Sequence, residues 1–371
     1  MNKLTLMASV SAAIAVGAAA IAAAGVLAMT AHAAPTPAVP LLKSAGSLAF
    51  APNGVLLIGD SAAAQIVSVE TGDTTKGGPG KVEIADLTAR IAAMTGATKD
   101  QIAVNDVAVN PISGSAYISI TRGSGDAAQP LILKADRAGK LTEVKVDALK
   151  HTAVSLTDAP APDAKDQRGQ FLRQQAITDI GYVNGQVLVA GLSNEEFSSS
   201  MRSIAYPLKS ADKGASIEMY HGSHGRFETA APVRTFMTYD IDGKPNVLAG
   251  YTCTPLVKIP VDQFKPGAKI KATTITELGN MNRPLDMIGY HKDKGDYILM
   301  ANSSRGVMKI DARDIDKYAA IQARVPDKAG MPYETIADLK GVMHLAKVDD
   351  SSALILVADN GTSSLKTIAL P

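Results

Sequence analysis

The chain has 371 residues, with 37 Lys+Arg against 36 Asp+Glu, one cysteine and no tryptophan. Balanced charge without a basic stretch leaves no electrostatic footprint for nucleic acid. The single cysteine, Cys253, excludes both an intramolecular disulfide framework and a c-type haem attachment pair.

Residues 1–33 read as a secretory signal peptide. MNK precedes an Ala- and Gly-rich run almost without charge, and Ala31-His32-Ala33 is a small-x-small cleavage pattern. The run is also long enough to serve as an uncleaved anchor, but it is only weakly hydrophobic. Residues 34–46, opening APTPAVP, are expected to be a flexible mature N-terminus. No later stretch is a membrane-span candidate. The body of the protein is therefore expected outside the cytoplasm, periplasmic or extracellular.

From residue 47 a unit recurs: an apolar strand, a turn rich in Gly, Asn or Asp, a second strand, a polar loop and a third strand. Copies begin at Ser47, Asn105, Thr178, Arg234, Leu285 and Met343. Asn53-Gly54, Asn184-Gly185 and Asp242-Gly243 are two-residue hairpin signals. Spacings of roughly 50 to 75 residues fit four-stranded units with insertions. Six such units predict an all-β chain, a six-bladed β-propeller over 47–371 as a single domain, with short helical insertions between blades. Leu87, Ile91 and Met94 have helical spacing, and Thr98 with Gln101 suggests a capping box. The segment ending at Gln175 begins polar and could finish helical.

The strand rhythm, with "LLIGDS" and "LILVADN" as second strands, resembles six-bladed propellers of the NHL and SMP-30/gluconolactonase type. The resemblance covers nearly the whole mature chain and specifies architecture better than activity. It implies, for an enzyme of the lactonase-like group, a metal (usually calcium) at the channel mouth that polarises a carbonyl and activates water. By that resemblance Asp106, Asp179 and Asp286 would be ligands and His344 or His221 a general base, although the group's usual Glu and Asn ligands have no one-for-one match here. A quinone-dependent dehydrogenase would suit the fold, but no cofactor motif supports it.

The residue just ahead of each inner strand is polar in all six copies: Ser47, Asp106, Asp179, Thr235, Asp286 and His344. They form an expected ring at the channel mouth. Its carboxylates either bind a cation or accept backbone N–H groups of the next blade. Arg234, Arg283 and Arg305 are the cations expected to reach a ligand there. The loop HGSHG places His221 and His224 three residues apart among glycines, and is expected to overhang the mouth. Two imidazoles at that spacing suit zinc or copper if a third ligand joins them, with His344, the ring carboxylates, Cys253 or Met281 as candidates. The loops at Asn194–Phe197 and Asn302–Gly306 are further candidates to reach a ligand. No Walker loop, dinucleotide fingerprint, nucleophile elbow or H-E-x-x-H helix is present.

Two functions follow from these features. One is a monomeric, exported propeller that binds a small molecule, a metal ion or a protein partner at its channel mouth. The other is a metal-dependent hydrolase of the lactonase-like type.

Overall fold

The computed structural model describes residues 40–371, apart from Pro79, Thr254, Asn360 and the side chain of Asp126. The expected signal peptide lies outside the described residues. These residues form six sheets, antiparallel except where Lys269–Lys271 runs parallel beside Ala215–His221. Each sheet is one blade of a six-bladed β-propeller, and its innermost strand lines the axis. In chain order the inner strands are Leu48–Ala51, Ile102–Val109, Asp179–Val183, Val233–Ile241, Pro284–Lys292 and Val342–Lys347.

The turns follow from their sequence. Asn53, Asn184 and Asp242 take φ of 62°, 46° and 52°, and the glycine after each is also at positive φ. That pairing supplies the twist of the two-residue hairpins at Asn184-Gly185 and Asp242-Gly243, whereas Asn53-Gly54 closes a three-residue turn with Pro52 between Ala51 and Val55; Asn, Asp and Gly adopt these angles at least cost. The helix Leu87–Thr95 starts at Asp86, whose carboxylate accepts the Ala89 N–H, and stops at Gly96 in the left-handed region. Leu87 and Ile91 are fully buried against the last blade and the second. The 3-10 turns Lys99–Gln101 and Leu172–Gln175 occupy the other two expected helical positions.

Blade order round the axis differs from chain order. Leaving the first blade, the chain places Glu83–Ile84 beside Leu365–Lys366 as the outer strand of the sixth. It then builds the second blade and returns as His151–Ser155, the outer strand of the first. The second blade therefore stands between the sixth and the first. Apolar clusters between blades follow the same order. Val107 and Ile118 pack with Ala346 and Leu356, whereas Leu48 and Ile58 pack with Ala108 and Tyr117 on the other side. The ring is thus closed by two pairings between strands distant in sequence.

Residues 40–46, the described part of the segment expected to be a flexible terminus, run along the first two blades. Asp60 accepts the N–H groups of Lys43 and Ser44 at 2.8 and 2.9 Å, and Leu42 and Ala45 are buried between the first two blades. The proline-rich composition concealed these two apolar anchors. No helix among the described residues is long and apolar enough to cross a membrane.

Candidate functional site

Once the true blade order is applied, the six ring positions alternate: Asp106, Ser47, Asp179, Thr235, Asp286, His344. Each aspartate spans one blade junction. Oδ2 of Asp106 accepts the Leu48 N–H at 2.7 Å, that of Asp179 the Phe236 N–H at 2.7 Å, and that of Asp286 the Leu345 N–H at 2.8 Å. In all three the other oxygen accepts the N–H of the following residue. The acceptor of one blade therefore fixes the strand start of the next, satisfying donors that the bent strand leaves open. Ser47 ties the first blade to the third by donating to the Thr178 carbonyl at 2.9 Å.

Four inner strands slip register just before the ring residue, at Asn105, Arg234, Leu285 and Met343. A bulge sets two residues against one on the partner strand, so consecutive side chains can face the same side. This explains why Asn105 with Asp106, Arg234 with Thr235, and Met343 with His344 all line one cavity of about 300 Å³ at the channel mouth.

The electrostatics of the mouth follow from burial. Burial raises the Asp179 carboxyl well above the usual range, helped by the charges of Asp286 and Asp106. Asp286 is raised for the same first reason, partly offset by His344. His344 Nδ1 lies 3.2 Å from Asp106 and 3.7 Å from Asp286. Burial opposes its charged form, but the two carboxylates outweigh that and hold its pKa up to about 10. The two carboxylates thus favour the imidazolium form of His344 over the neutral form that a general base needs.

Above the ring stand two arginines. Arg234 donates from Nε to Thr252 Oγ1 at 2.7 Å, and among the described residues neither Arg234 nor Arg283 forms an ion pair. Burial, then the charge of Arg283, push the Arg234 pKa down to about 10. Both line the cavity, whose wall also includes Thr235, with a buried hydroxyl that has no hydrogen-bond partner among the described residues.

The other expected residues lie elsewhere. Arg305 donates to the Asn280 carbonyl at 2.8 Å and is not part of the cavity wall. Asp179 stands apart from the one ring cluster whose ligand atoms approach within 4.8 Å, formed by Asp106, Asp286 and His344. His221 and His224 are not part of the cavity wall. Their loop joins Ala215–His221 to Arg226–Glu228 at the outer edge of the third blade. There His221 and His224 meet Cys253, while Met281 is 87% exposed. Glu195 and Glu196 pair with Lys213 and Lys269 on the surface. Asn302 accepts N–H groups of Ser304 and Arg305 within its own loop.

Sequence reasoning missed Arg202, 1% exposed, paired with Asp158 at 2.7 Å inside the third blade. The alternation of SSMRSIA, which sets Arg202 in step with buried Ser200 and Ile204, was the available signal.

No family model matches the chain, and no curated protein does. Among solved structures, a glucose dehydrogenase is similar at 11% identity and TM-score 0.36, covering 89% of this chain and 97% of that one. The PQQ-bound aldose sugar dehydrogenase of Streptomyces coelicolor is similar at 10% identity and TM-score 0.33, covering 88% and 94%. A Bacillus subtilis arabinanase shows 15% identity and TM-score 0.34, covering 72% and 96%. The propeller assignment rests on the six sheets themselves.

Proposed function

We propose that this protein is an exported propeller that binds a small anionic molecule at its channel mouth, with Arg234 and Arg283 as the recognising groups. The observation that carries the reading is the pair of arginines on one cavity wall without a carboxylate partner among the described residues. Two guanidinium groups near each other are mutually unfavourable, and an anion between them removes that cost while accepting paired N–H donors. The ring beneath does not cancel them. Asp179 is biased toward its neutral form, and His344 offsets the carboxylates it faces. A cavity of about 300 Å³ suits a metabolite-sized ligand.

The hydrolase alternative needs ring carboxylates free to hold a metal and a neutral base beside them. Here each aspartate already accepts two backbone N–H groups, and Asp106 and Asp286 bias the His344 between them toward its charged form. Binding is therefore the better-supported reading. A thermal-shift panel tests it. Phosphate, sugar phosphates and di- and tricarboxylates at millimolar concentration should raise Tm by a few degrees, and neutral sugars should not. Stabilisation by calcium alone, with none by any anion, would turn the assignment toward the hydrolase.

A further inference from the structure

Where the outer strands of the third blade meet the loop after Lys244–Tyr251 of the fourth, one ring nitrogen of His221, one of His224 and Sγ of Cys253 lie within 4.8 Å of one another. The imidazoles are prepared in a specific way. Glu228 takes both: its Oε2 meets His221 Nδ1 at 3.0 Å and its Oε1 meets His224 Nδ1 at 2.7 Å. A carboxylate on Nδ1 fixes ring orientation and leaves Nε2 as the nitrogen open to a ligand. His221 is 1% exposed, and its Nε2 is buried with no hydrogen-bond partner among the described residues. A buried imidazole nitrogen in that state costs free energy unless something outside the protein completes it.

The third group is held just as firmly. Cys253 sits at φ 83°, a left-handed conformation uncommon for a residue with a side chain. Its backbone is locked to Asn282, which accepts the Cys253 N–H at 2.8 Å and donates from Nδ2 to the Cys253 carbonyl at 3.0 Å. Strained backbone of this kind is kept where the surrounding structure imposes it. The two rings lie 3.9 Å apart, tilted by 42°.

We infer that His221, His224 and Cys253 form a binding site for one zinc or copper ion, with Glu228 positioning both imidazoles. Two imidazoles and one thiolate are the donor set of borderline and soft d-block cations, and they exclude calcium and magnesium, which take oxygen ligands. Metal–ligand bonds of about 2.0–2.3 Å need donor separations of roughly 3.5 Å, within reach of small rotations of the half-exposed His224 and Cys253 side chains. The cysteine binds as thiolate, so its proton leaves to solvent on loading. The site adjoins the channel mouth, since Thr252 beside Cys253 accepts from Arg234 and Asn282 precedes Arg283, but its proposed ligands are none of the residues lining the mouth cavity.

The test strips the purified protein with chelator and titrates it with zinc(II) and, under reducing conditions, with copper(I), each against a competing chelator. One equivalent of at least one of these metals should bind. Cys253→Ser and His224→Gln should each weaken it about 100-fold, with thermal unfolding in chelator showing that both variants fold. Cobalt(II) loaded in its place should show a thiolate charge-transfer band that is absent in Cys253→Ser. In the unmodified protein the metal should also shield Cys253 from alkylation. Failure of both metals to bind stoichiometrically, or undiminished affinity in either variant, overturns the site.

Discussion

Replacing Arg202 with methionine is expected to destabilise the protein by about 3–5 kcal/mol, the largest effect of any single substitution considered for the fold. The guanidinium is enclosed within the third blade. It donates to Asp158 at 2.7 Å and to the carbonyls of Ala176 and Leu192 at 3.2 and 3.0 Å. Asp158 in turn accepts the Gly214 N–H at 2.8 Å. Methionine fills much of the volume but strands a buried carboxylate and two carbonyls, and that desolvation dominates the cost. Asp158→Asn should cost less, about 2–3 kcal/mol, since an amide oxygen still accepts one of the two donors. The double variant should fall short of the sum by about 1–3 kcal/mol, because each change removes the same interaction. Urea unfolding with an unchanged slope checks all three, and strict additivity would show that the pair is not coupled.

The second large effect concerns His344. Its folded pKa of about 10 stands above the ordinary 6.5, so the folded state binds the proton more tightly than the unfolded chain. Its contribution to stability is therefore fully present below pH 6.5 and is lost as pH rises toward 10. The raised carboxyls of Asp179 and Asp286 act with the same sign from pH 3.8 upward, since they too hold protons better when folded. The exposed His291, raised by Asp296, adds a small term of that sign. Substituting His344 with leucine leaves Asp106 and Asp286 facing each other without the cation between them. The expected cost is about 2–4 kcal/mol at pH 7. The difference between wild type and variant should shrink as pH approaches 10. Chemical denaturation from pH 6 to 10 checks this, and a difference that stays constant over the range would show that His344 is not the group responsible.

The two results bear on how much of this molecule could be read in its sequence. Strand rhythm and the Asn-Gly and Asp-Gly turns specified the blades, because alternation and positive φ are local demands that particular residues meet. Ring order was not legible. It depends on Glu83–Ile84 and His151–Ser155, edge strands too short and too polar to stand out from loop, yet their pairing places the second blade beside the sixth. The polar ring could be located one residue ahead of each inner strand. Its alternation of aspartate with Ser47, Thr235 and His344 emerges only once blades are placed in space. His221 and His224 were legible as a pair, but which of several candidates would join them was not, since Cys253 reaches them only across the junction of the third and fourth blades. Arg202 was passed over because one charge in an apolar strand has no partner until Asp158 folds against it.

The central claim is that Arg234 and Arg283 hold an anion at the channel mouth. Its most direct test is calorimetric titration of the most stabilising anion from the panel into wild type and into Arg234→Gln/Arg283→Gln at low and moderate salt. Loss of two charge-assisted contacts should weaken binding about 100-fold or more, and the wild-type affinity should fall with added salt. Binding that is unchanged in the double variant, or the absence of any anion bound by the wild type, would contradict the account.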